Sequence, residues 1–194
     1  MANLTQAQAT KILRNLGWRV RTTSEYKTCV KNFQAGWNLG SALSVDGSVG
    51  AKTSAALLKS EARRKAGQPT ASAHFSFTEV RCRCGGKYSS CQRIWHKRKA
   101  FQMMEQYRTK SGRSFTVVSA CRCASHNKAI GGSATSRHLS GLASDTQPYY
   151  STTKVKSWQV CTHIGYGSVS KKVKHIDMGS GATKANPKIY KDGR

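Results

Sequence analysis

The stretch SRHLSGLASD, Ser136 to Asp145, sets a histidine and an aspartate seven positions apart among serine, glycine, leucine and alanine. The aspartate stands out because the chain has only eight Asp and Glu residues against thirty-three Lys and Arg. Gly141 tolerates a sharp bend, so the spacing reads as a loop histidine followed by a strand aspartate, not as two helical turns. Downstream, VKHIDMG places His175 and Asp177 two positions apart, which on a strand projects both to one face. Of the other acids after Thr70, Glu105 falls in a helical stretch beside basic residues, Asp192 in the C-terminal tail and Glu79 in FTEVRC. A catalytic zinc takes three protein ligands from His and carboxylate and keeps a further position for water. His138, Asp145 and His175 are the candidate set, whereas His74, His96 and His163 read as ordinary polar residues.

Short apolar runs around this stretch, RSFTVVSA, GLASDTQ and VKHIDMG, alternate or cluster like strands. RIWHKRKAFQMMEQYRTK suggests one helix before them, so this part of the chain is expected to be α+β. The beginning of the chain reads differently. Thr5-Gln6-Ala7-Gln8 has the form of a capping box and starts a helix expected to run to about Gly17. Tyr26, Val30, Phe33 and Trp37 recur at helical intervals and predict a second helix. SVDGSVG then turns the chain before a third helix in AKTSAALLKSEARRKAG. AGQPTASAHFS, poor in large apolar residues, reads as a linker. The expected organisation is a three-helix unit at 1–68, a linker at 69–76 and a second unit at 77–194.

A net charge of +25 draws the chain to polyanions, which could be nucleic acid, anionic lipid or an acidic cell wall. Both parts are basic, +8 up to Thr70 (eleven basic, three acidic) and +17 after it (twenty-two basic, five acidic). With no RNA-binding aromatic motif, zinc-finger spacing or basic zipper, nucleic acid is not the expected partner. No apolar run approaches the ~20 residues of a membrane span, and the N-terminus lacks a signal-peptide core, so neither membrane insertion nor conventional secretion is expected. Six of the seven cysteines, Cys82, Cys84, Cys91, Cys121, Cys123 and Cys161, follow Thr70. Their C-x-C and C-x6-C spacings, in place of paired C-x2-C, put disulfides or buried thiols ahead of a four-cysteine zinc site. Connectivity is not readable from the spacing.

Two resemblances follow from these residues. Cys29 to Leu57 resembles the peptidoglycan-binding domain of cell-wall hydrolases through Val30, Phe33, Gln34, Asp46, Gly47, Gly50, Thr53, Ala56 and Leu57, with Asp46 and Gly47 shaping the turn. The set Ser136, His138, Gly141, Ala143, Asp145, His175 and Asp177, with Arg122, His126 and Asn127 upstream, resembles the zinc D-alanyl-D-alanine peptidases, peptidase family M15, whose fold is shared with hedgehog signalling domains. This resemblance implies a small antiparallel sheet, one catalytic zinc on His138, Asp145 and His175, and a stem-peptide substrate contacted by Arg122, Ser136 and Asn127.

Many relatives place an acid or histidine three residues before the last ligand, where this chain has Lys172. Asp177 is therefore the first choice of general base and Glu79 the second, and His175 and Asp177 could exchange roles. The combined reading is a monomeric, phage endolysin-like peptidase made in the host cytoplasm. It would act on the peptidoglycan wall after release and cut a stem-peptide or cross-link bond whose identity stays open. The alternative is a non-catalytic wall-binding protein that keeps zinc structurally.

Overall fold

The computed structural model describes residues 3–168 and 170–192. Three helices come first, α1 (Gln6–Asn15), α2 (Thr23–Gly36) and α3 (Ala51–Lys65). The Thr5 hydroxyl accepts the Gln8 amide and the Gln8 side chain accepts the Thr5 amide, so α1 begins with both halves of a capping box made. α2 and α3 are tied by Gln34. Its side-chain nitrogen donates to Asp46 Oδ1 at 2.9 Å and to Thr53 Oγ1 at 3.2 Å, while its oxygen accepts the Gly47 amide at 2.9 Å. Gly47 sits at φ +82°, and a side chain there would press on Lys27, so the turn needs glycine.

After a 3-10 turn at Phe77–Val80 come α4 (Arg98–Ser111), β1 (Thr116–Ser119), α5 (Ala124–Ala129), β2 (Ala143–Ser151), α6 (Thr152–Trp158), β3 (His163–Gly167), β4 (Lys172–Asp177) and β5 (Lys188–Asp192). The strands form one sheet in the order β1-β2-β4-β3-β5. The architecture is α+β, but the sheet is mixed and not purely antiparallel, because β5 pairs with β3 in parallel. Residues 178–187 carry the chain from β4 past β3, and KIYKD then adds to the open edge of β3. Asp192, assigned to a tail by the sequence, thus ends a strand.

One apolar core runs through both parts of the chain. Phe77 is its junction, with ring centroids 4.7 Å from Trp18, 5.5 Å from Phe33 and 5.8 Å from Phe101. The stretch expected to be a linker is packed: Ala71, Ser72 and Phe75 are buried, and Phe75 meets Phe115 at 5.0 Å. Small residues lie flat here while a single phenylalanine anchors them, a pattern that average composition hides. No helix among the described residues is long and apolar enough to cross a membrane.

Candidate active site

β2 and β4 pair antiparallel with Asp145 directly opposite His175, which brings their side chains together on one face of the sheet. His138 arrives from the turn before β2. The bend that returns the chain lies at Gly141, φ +69°, where any side chain would strike the Trp95 carbonyl. His138 Nδ1 donates to the Ala120 carbonyl at 2.6 Å, which leaves Nε2 as the free lone pair. His175 is turned the other way: its Nε2 donates to Asp177 Oδ2 at 3.1 Å and its Nδ1 faces inward.

The inward atoms converge. Asp145 Oδ1 lies 3.1 Å from His138 Nε2 and 2.8 Å from His175 Nδ1, and the two nitrogens are 3.1 Å apart. Two imidazole nitrogens at that distance repel unless a cation, a proton or a metal ion, sits between them. The donor set of two nitrogens and one carboxylate oxygen therefore fits a zinc ion. Burial would raise the Asp145 carboxyl, but its contacts with the His138 and His175 rings outweigh it and hold it well below the usual carboxylate range. Burial disfavours charge on both histidines. In His138 it prevails and lowers the imidazole, whereas hydrogen bonds to Asp145 and Asp177 lift His175 to about 9, so that its Nδ1 holds a proton toward Asp145 that a bound zinc ion would displace.

Further contacts hold these groups in place. Asp177 Oδ2 serves His175, and its Oδ1 accepts the Gly179 amide at 2.7 Å and lies 3.1 Å from His163 Nδ1. The Arg122 guanidinium is buried and donates to Asp145 Oδ2 and to Ser119 Oγ, both at 3.1 Å, and to Asn127 Oδ1 at 3.4 Å. The Asn127 amide donates in turn to the carbonyls of Gly132 and Ser133, bracing the loop that leads to His138.

The group opens into a cleft of about 620 Å³. Ser136, His138, His175, Asp177 and Arg122 line it, and Arg137, Lys188 and Lys191 add positive charge. His163, read from the sequence as ordinary, also lines the cleft beside Asp177. Tyr190 reaches it from β5, its ring 6.0 Å from that of His175. No sequence pattern marks either residue: His163 depends on β3 pairing with β4, and Tyr190 on β5 pairing with β3. Glu79 lies elsewhere, accepting the Ser76 amide to cap the 3-10 turn, and Lys172 is exposed at the start of β4. Asp46 and Gly47 are confined to the turn between α2 and α3.

Two histidines that line an open cleft and an aspartate that touches both form a donor set of the kind metal-dependent hydrolases use. The chain belongs to the M15 peptidases: the family model described as Peptidase M15 matches residues 73–177, more than half of its length. A search of curated proteins finds no match to the chain.

Proposed function

We propose that this chain is a zinc-dependent peptidase that hydrolyses amide bonds in peptidoglycan stem peptides or their cross-links, and that it works as an endolysin. The observation that carries the reading is the convergence of His138, Asp145 and His175, with both histidines lining a basic cleft, within an M15 domain. His138 Nε2, Asp145 Oδ1 and His175 Nδ1 would hold the metal. Zinc held there would supply Lewis acidity toward the scissile carbonyl and lower the pKa of water enough to make it a nucleophile near neutral pH.

The protein's own groups do the rest. Arg122 donates to Asp145 Oδ2 and so keeps Oδ1 aimed inward, a positioning role that its burial suits better than direct capture of substrate. Asp177 sets the tautomer of His175 and pairs with His163. With Nδ1 held by Asp177, the Nε2 of His163 is the basic nitrogen at the cleft wall, and we assign it the proton passed from water to the leaving amine. Arg137, Lys188 and Lys191 meet the carboxylates of an acidic stem peptide, with Ser136 at the rim. The N-terminal helices, with their excess of eight positive charges, keep the enzyme on the wall.

Digestion of purified peptidoglycan followed by mass analysis of the soluble fragments tests this reading. The expected products are stem peptides cut at one amide position, absent after chelation and restored by zinc. Fragments unchanged with zinc present would overturn it.

A further inference from the structure

A second group of metal-ligating side chains includes Cys123, the residue after Arg122. Cys82, Cys84 and Cys91 come from the connection between the 3-10 turn and α4, and Cys123 immediately precedes α5. Their four sulfurs lie within 4.8 Å of one another. All seven cysteines are free thiols. A tetrahedral zinc with Zn–S bonds of ~2.3 Å needs sulfurs ~3.8 Å apart, so small adjustments suffice to close the site. Disulfides would pair the sulfurs at ~2.05 Å and give no reason for all four to meet at one point.

The backbone around these sulfurs is arranged as a thiolate cradle. The Cys123 amide donates to Cys82 Sγ at 3.4 Å, the Cys84 amide also points at that sulfur, and the Arg93 amide points at Cys91. Gly85 and Gly86, at φ +64° and +94°, reverse the chain directly after Cys84 so that Cys91 can return to the cluster. Cys121 is close by but stands apart from the four, its sulfur accepting the Trp95 amide at 3.2 Å.

Packing and charge agree with a metal. Residues 82–97 contain no helix or strand, and a loop of that length needs something to hold it. Its buried cluster is made of cysteines, flanked by Tyr88 and Trp95, and is separate from the main apolar core. Four thiolates around Zn²⁺ leave a net charge of about −2, and Arg81, Arg83, Lys87 and Arg93 supply cations in the same stretch of chain.

We infer that Cys82, Cys84, Cys91 and Cys123 bind a structural zinc ion that clamps the 82–97 loop to the start of α5. This metal is distinct from the one assigned to the histidine cleft. Because Cys123 adjoins Arg122, whose guanidinium holds Asp145, the clamp also anchors one wall of that cleft.

The test is metal content and X-ray absorption on full-length protein purified with zinc under reducing conditions. Two zinc ions per chain are expected in the wild type, with both a sulfur shell near ~2.3 Å and a nitrogen and oxygen shell near ~2.0 Å. His138→Ala should retain one zinc with sulfur neighbours alone. Should that variant not fold, the two-shell spectrum of the wild type decides the matter. A single zinc with sulfur neighbours only would keep this site and remove the histidine one. Absence of sulfur scattering, or alkylation mapping that finds these cysteines paired as disulfides in the reduced preparation, would overturn the inference.

Discussion

His175 Nε2 lies 3.1 Å from Asp177 Oδ2, on the side of the ring opposite the nitrogen that faces Asp145. Asp177 therefore stands behind the imidazole. A carboxylate in that place fixes the ring's orientation and makes its inner nitrogen more basic. Asp177→Ala is expected to weaken zinc binding by ~10–100-fold with the fold retained, as read by competition with a chromogenic chelator. Unchanged zinc affinity with collapsed turnover would instead make Asp177 the proton acceptor that the strand spacing suggests.

His163 supplies the second test. If it carries the proton, His163→Asn should lower kcat by ~10²–10⁴-fold while zinc content stays at the wild-type level. Turnover at the wild-type level would assign the proton transfer to another group.

His96 is fully buried, neither ring nitrogen has a hydrogen-bond partner among the described residues, and the ring stands edge-on to Phe101 at 4.8 Å. Burial, with a smaller contribution from His138, pushes its imidazole down to about 3 from an ordinary 6.5. The unfolded chain therefore binds a proton that the folded chain refuses, and only below pH 6.5. Stability should fall as pH drops from about 6.5 toward 3, by at most ~1.4 kcal/mol per pH unit from this group. Thermal melts across that range should show a shallower slope in His96→Phe than in wild type.

Phe77 touches Trp18 and Phe33 from the N-terminal helices and Phe101 from α4. Phe77→Ala should cost ~3–5 kcal/mol. Because the residue joins both parts of the core, the loss should appear as a lower midpoint of a single transition in chemical denaturation. Two transitions, only one of them shifted, would mean that the N-terminal helices fold independently.

Much of this protein is written in local sequence. The capping box at Thr5, the helical spacing of Val30 and Phe33, and the glycine at 141 each act through neighbours a few residues away. Such signals need no knowledge of the rest of the chain. His138, Asp145 and His175 were legible as a set because zinc chemistry restricts the residue types that can hold it, in a chain with few acids.

Tertiary structure decided what depends on register and on contacts between distant segments. Strand spacing puts His175 and Asp177 on one face, but only the pairing of Asp145 with His175, and of His163 with Asp177, tells which carboxylate faces inward. The parallel β5, which brings Tyr190 and Lys188 to the cleft, follows from the open edge of β3. The cysteines show the same division most clearly. C-x-C and C-x6-C do not form a paired ligand motif, and Cys123 lies far along the chain from the other three. Their sulfurs meet because the loop after Val80 folds back against the start of α5, a long-range closure that no local spacing encodes.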